Sequence, residues 1–128
     1  GNPVGFESAI PLPTGTIEGL CYREHRLVIL PDFQGLGIGA RFSECIGEMF
    51  LAQDIKYFSK TAHPRLGEYR EASNKWKPTS SNKKDHSKAY MKDIKRVRAG
   101  GNLIQTEQAL LRHMNRICYS HQYVGVPK

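Results

Sequence analysis

Hydrophobic positions fall into short runs of two different periods, separated by clusters of Pro, Gly and polar residues. Val4, Phe6 and Ile10 are spread among small residues over positions 3–10, and Pro11, Pro13 and Gly15 then break the pattern, which predicts a short strand and a turn. From Leu20 to Leu30 the chain is strand-like again: polar Arg23-Glu24-His25-Arg26 gives way to the continuous apolar run Leu27-Val28-Ile29-Leu30, ended by Pro31 and Asp32. A run of that kind suits a strand covered on both faces. Phe42, Ile46, Met49 and Phe50 then stand at i, i+4, i+7 and i+8 with Cys45 beside them, so an amphipathic helix of about 14 residues is expected.

Ile55 to Ala62 reads as the next strand, ended at His63-Pro64 because proline cannot donate to a ladder. Strand, glycine loop, helix and strand make one βαβ unit, expected to be parallel and right-handed. Further on, Leu66 to Trp76 suggests a short helix and Pro78-Thr79-Ser80-Ser81-Asn82 a loop. His86 to Arg98 can form a helix with Tyr90, Ile94 and Val97 on one side, stopped by Gly100-Gly101. Thr106 to Met114 reads as a helix and Ile117 to Val124 as a closing strand. The expected class is α/β (α+β): a mixed sheet flanked by helices, in one domain over residues 1–128.

Composition adds three constraints. At 128 residues and 39% hydrophobic the chain has enough apolar material for a core, and no apolar run approaches the ~20 residues of a membrane span. The sequence opens Gly1-Asn2-Pro3-Val4-Gly5-Phe6, without the basic start and long apolar stretch of a signal peptide, and reads as beginning inside a domain. Cys21, Cys45 and Cys118 are odd in number and widely spaced, which speaks against a disulfide framework or a zinc site and for a reducing, cytoplasmic location. Cys21 and Cys45 are expected to be buried, with no neighbouring base to make either a nucleophile.

The net charge of +7 is concentrated. Lys75, Lys77, Lys83, Lys84, Lys88, Lys92, Lys95, Arg96 and Arg98 face only Asp85 and Asp93 in the same segment, a surplus equal to that of the whole chain. Such a segment attracts polyanions, among them nucleic acid and the phosphates of a nucleotide-like cofactor, although a solvated face has the same composition. Trp76 and Tyr90 within it are candidate stacking groups for a nucleic acid.

The densest chemical signal is Gln34-Gly35-Leu36-Gly37-Ile38-Gly39, between the apolar run and the amphipathic helix. In that context the backbone N–H groups point outward, unpaired, at the positive end of the helix dipole, which suits a phosphate. A Walker loop would end Gly-Lys-Ser/Thr, whereas this one ends Gly39-Ala40-Arg41. A dinucleotide fingerprint would need glycine or a tolerated alanine at position 40 and an acid ending the next strand. Position 40 is Ala, but residues 55–62 contain no acid.

The segment Leu27-Val28-Ile29-Leu30-Pro31-Asp32-Phe33-Gln34-Gly35-Leu36-Gly37-Ile38-Gly39 resembles the coenzyme-binding segment of the GNAT superfamily of acyltransferases. The resemblance covers roughly residues 3–76, and the elements that open that fold would lie ahead of Gly1. It implies a domain binding acetyl-CoA or another acyl-CoA as co-substrate, without a metal. The strand ahead of the loop would carry a bulge, with the pantetheine arm pairing to Val28, Ile29 and Leu30. The pyrophosphate would meet the amides of Gln34, Gly35, Leu36, Gly37, Ile38, Gly39, Ala40 and Arg41. Thr61 to Glu71, with Trp76-Lys77-Pro78-Thr79, is also similar to GNAT-like proteins associated with ABC-type ATPases, which implies a possible ATPase partner.

Transfer of an acyl group to an amine needs a deprotonated acceptor and a proton for the leaving thiolate. By the same resemblance the proton donor is Tyr69, seven positions after Ala62, where the family's strand-end Asn is absent; packing beside Trp76 is its other reading. Glu24, at the polar end of its strand, is the candidate base, and a surface pair with Arg23 or Arg26 is the alternative. His25 is a possible relay, His63 a possible substrate contact, and His121 reads as structural. Direct transfer in a ternary complex to an unidentified amine is the expected function. A non-catalytic GNAT-like module and nucleic-acid binding through residues 75–98 are the rivals, and a truncated sheet edge makes a homodimer possible.

Overall fold

In the computed structural model, which describes residues 1–13, 15–84, 91–92, 95 and 116–127, the first two strands are Gly5–Pro11 (β1) and Cys21–Ile29 (β2), paired antiparallel. After β2 the chain makes a short 3-10 turn at Pro31–Phe33 and enters a helix at Ile38–Leu51 (α1). Lys56–Thr61 (β3), a second helix at Pro64–Ala72 (α2), and the strands Trp76–Pro78 (β4) and Tyr119–Tyr123 (β5) complete the order. The result is a mixed α+β architecture, a five-stranded sheet in the order β1-β2-β3-β5-β4. β2 and β3 are parallel and every other pairing is antiparallel.

Both helices lie on the sheet face that carries Tyr57 and Ser59 of β3 and Tyr119, His121 and Tyr123 of β5. Rings cross that face in sequence: Tyr22 stacks on Phe50 at 5.1 Å, Phe50 on Tyr57 at 5.2 Å, and Trp76 meets Tyr123 edge-on at 4.9 Å. Tyr57, Trp76 and Tyr123 form the buried core, with Ala9, Tyr22, Ile46, Phe50 and Leu51 packed against them. Glycines admit the rings to the helices, since a Cβ at Gly47 would meet the Tyr123 ring and one at Gly67 the Tyr119 ring.

Several expectations need correction. The face of α1 turned inward is Ser43, Glu44 and Gly47, not the apolar stripe alone; Met49 is 57% exposed and Cys45 is exposed, while Cys21 is buried. A polar network and a tyrosine ring occupy the space under that helix, so small and polar residues fit where the stripe would not. The helix expected over residues 66–76 starts earlier and ends at Ala72, because Pro64 sits in its first turn and His63 caps it. Trp76 belongs to β4, paired with Tyr123, where its ring completes the core. The expected helices over 86–98 and 106–114 lie outside the described residues, apart from Met91, Lys92 and Lys95, which are helical. No helix among the described residues is long and apolar enough to cross a membrane.

Candidate functional site

β2 and β3 stay together for only three pairs, Cys21 with Lys56, Tyr22 with Tyr57 and Arg23 with Phe58. Beyond Arg23 they separate. The register of β2 on β1 jumps at the same place, from Ala9–Glu24 to Ser8–Arg26, which leaves His25 without an opposite residue. A bulge bends and twists its strand, and here it turns β2 away from β3, leaving Glu24 and the residues from Arg26 to Ile29 paired to β1 alone. The apolar run is therefore not covered on both faces: Leu27, Val28 and Ile29 are half-buried and Leu30 is exposed. Its side chains and backbone line an open cleft between the two strands.

That cleft has a volume of about 1170 Å3. Its walls include Val28 and Ile29 on one strand, Lys60 and Thr61 on the other, the loop residues Gln34, Gly35 and Gly37, the first residues of α1 at Ile38, Gly39 and Ala40, and Tyr69 of α2. Glu24 and His25 lie at its inner end. Three residues expected at a cofactor do not line it: Leu30, Leu36, which is 69% exposed, and Arg41.

The loop owes its shape to two glycines in the left-handed region, Gly35 at φ 80° and Gly37 at φ 74°, a conformation that costs other residues about 1 kcal/mol or more. Gly37 is the N-cap of α1 and offers no side-chain cap. Among the described residues, no protein acceptor meets the N–H groups of residues 35–40. The Gln34 side chain is not free for a ligand in the way expected, since its amide donates to the Ile29 carbonyl at 2.7 Å and closes the loop onto the strand end. Gly39 lies against β2, where a Cβ would approach the Ile29 side chain at 3.3 Å. Glycine fits there by close packing, with φ in the ordinary range, and a Cβ would need the Ile29 side chain to give by a few tenths of an ångström.

Tyr69 stands in the cleft wall, and its hydroxyl donates to Glu44 Oε1 at 2.8 Å. Partial burial and the Glu44 carboxylate push its pKa above the ordinary tyrosine value, although Lys75 and Arg41 work the other way. It therefore keeps its proton through neutral pH, the state a proton donor needs. Lys75 reaches the second Glu44 oxygen at 3.0 Å, so this carboxylate holds both groups. The alternative of Tyr69 packing on Trp76 is not what is seen: among the described residues the rings against Trp76 are Tyr57 and Tyr123, and the Arg70 guanidinium lies 4.3 Å from its centre.

Glu24 is neither a surface pair with Arg23 or Arg26 nor an unencumbered carboxylate. Arg70, 1% exposed, donates to Glu24 Oε2 at 2.9 Å, and Ser43 Oγ donates to the same oxygen at 2.6 Å. Ser59 links Arg70 to the second oxygen. Beside them the Tyr57 hydroxyl donates to Glu7. Burial pushes the Glu7 carboxyl up to about 7, with a smaller push from Glu24, against the Tyr57 hydrogen bond and Arg70. Arg70 is bonded to Glu24 and not to Glu7, and Glu7, held out of water, takes up a proton near neutrality. Sequence reasoning missed Arg70, Ser43, Ser59, Tyr57 and Glu7, since polar residues on elements far apart in sequence carry no local mark of sharing a site.

Of the three histidines singled out, His25 is the exposed bulge residue at the inner end of the cleft. His63 Nδ1 faces the Leu66 N–H at the start of α2. His121 is fully buried, with Nε2 3.0 Å from Glu71, and burial lowers its pKa against the pull of that carboxylate. Comparison of the chain with protein-family models, with curated proteins and with solved structures found no match in any of the three.

Proposed function

We propose that the chain is an acyl-CoA-binding domain of GNAT type that transfers an acyl group to an amine. The observation that supports this most is the separation of two parallel strands after three residue pairs, at a bulge, into a cleft whose outer end is a glycine loop with unpaired amides. An extended amide-containing arm would hydrogen-bond the free edge at Val28 and Ile29, and a pyrophosphate would sit on the amides of Gly35 to Ala40 at the helix N-terminus. Tyr69, protonated and in the cleft wall, would give the leaving thiolate its proton. Acetyl-CoA serves as co-substrate, and a cytoplasmic setting is part of the same reading.

The state of Glu24 favours a second version of this function. Its carboxylate already neutralises Arg70 and accepts from Ser43, so removing a proton from an amine would disturb a buried ion pair. A module that binds acyl-CoA without transferring the acyl group, with an ATPase or another protein as its partner, accommodates that arrangement.

Acetyl-CoA should raise the melting temperature by mass action, and Gly37→Glu, which puts a side chain and a negative charge at the left-handed cap, should abolish the rise. Absence of a shift in the native sequence would refute the proposal. A shift without thiol release across a broad amine panel would select the binding module.

A further inference from the structure

A second, smaller cavity of about 230 Å3 opens at the inner end of the cleft, sharing Glu24, His25, Lys60 and Thr61 with it. The two spaces meet where β2 and β3 part. The remaining walls are Arg23, Ala62, Arg116 and Cys118. Arg23 comes from β2, Lys60 from β3 and Arg116 from the segment leading into β5, so three separate pieces of chain bring cations to one small space. Each is an exposed residue, and among the described residues no carboxylate lies within salt-bridge distance of any of them.

Among the described residues the only carboxylate in these walls is Glu24, which Arg70 neutralises. Among the described residues the walls therefore carry a net positive charge, set by two arginines and a lysine. Arginine forks suit planar oxyanions, with lysine adding a point charge. Thr61 adds a hydroxyl to the same wall. The volume suits a small molecule, since it equals about eight water volumes of ~30 Å3.

We infer that this cavity binds a small amine carrying an oxyanion group, carboxylate or phosphate, with the anion held by Arg23, Lys60 and Arg116 and the amine turned toward the junction with the main cleft. That the ligand is an amine, and that it is the acyl acceptor, rests on the proposed function above; the binding of its oxyanion rests on the cavity alone. The amine end would lie near Glu24 and His25, and the anionic end would set which amines are accepted.

Calorimetric titration of the 128-residue chain tests this, using α-amino acids beside their decarboxylated amines, and O-phosphoethanolamine beside ethanolamine. At least one anion-bearing amine is expected to bind with a Kd on the order of 1 mM or tighter, and its neutral match roughly tenfold more weakly. The two sets of pairs decide between carboxylate and phosphate. Arg23→Ala should weaken the anion-bearing ligand by roughly tenfold or more and leave the acetyl-CoA Kd unchanged, since Arg23 does not line the main cleft; Arg116→Ala, on another segment, repeats the measurement independently. A silent panel, equal binding of the neutral match, or undiminished binding by both variants overturns the inference. Failure of acetyl-CoA to bind in its own titration overturns the acyltransfer reading alone, whereas acetyl-CoA binding beside a silent panel overturns the anion cavity alone.

Discussion

Arg70 donates to Glu24 at 2.9 Å with the two side chains only 1% and 8% exposed, and this pair forms the floor on which the cleft stands. Removing one partner strands the other charge in a space water does not reach. Arg70→Met is expected to destabilise the fold by about 3–5 kcal/mol. The double change Arg70→Met with Glu24→Gln should cost less than the sum of the two single changes. Urea unfolding of the four proteins checks both statements; strict additivity would mean the pair is not coupled.

Glu7 gives stability a pH dependence. Its carboxyl titrates at about 7 in the fold against 4.5 in the unfolded chain, so the native state holds the extra proton between these values and stability falls as pH rises from about 4.5 to 7. Partial exposure screens the effect, leaving about 1–2 kcal/mol. Glu7→Gln keeps an acceptor for the Tyr57 hydroxyl without the charge. Above pH 7 it should be the more stable protein, and its stability should be flatter across this window, as read from melting temperatures at several pH values.

Gly67→Ala sets two effects of opposite sign against each other. Helix propensity favours alanine in α2 by about 1 kcal/mol. The new Cβ, however, would run into the ring of Tyr119, which is buried and cannot swing into solvent. Overpacking of this kind costs about 1–3 kcal/mol, so net destabilisation is expected. A rise in the denaturation midpoint would show that the ring gives way.

Tyr69→Phe separates chemistry from folding. The side chain is 43% exposed but its hydroxyl bonds the buried Glu44 carboxylate, so its loss should cost about 1–2 kcal/mol and leave the fold intact. As the proton donor it should cost roughly 100-fold in kcat with little change in the acetyl-CoA KM. In the native sequence the raised Tyr69 pKa places the alkaline loss of activity above the ordinary tyrosine value of 10.0. A Phe variant of unchanged kcat would remove Tyr69 from the mechanism.

Much of this architecture is legible locally. The run Leu27-Val28-Ile29, the glycines after it and the periodicity of Ile46 and Phe50 each answer to neighbours in sequence, and the strand, loop and helix fall where those signals put them. Trp76 defeated the same approach, because its place in a short edge strand depends on Tyr123, a residue far along the chain. Ser43 and Glu44 are buried only because Arg70, Tyr69 and Lys75 arrive from α2 and the turn after it. The cleft itself could not be read from hydrophobicity, since an apolar run lining an opening looks identical to one sealed within a sheet.

Three residue pairs join β1 and β2 to the rest of the sheet, so the fold resembles two leaves on a short spine. Phe50, stacked between Tyr22 of one leaf and Tyr57 of the other, is the pin through that spine. Beside that pin, Tyr57 with Glu7 and Arg70 with Glu24 tie the same two leaves together. A molecule lodged between them would touch both leaves at once, and the pin and these bonds together would set how far the leaves could part around it.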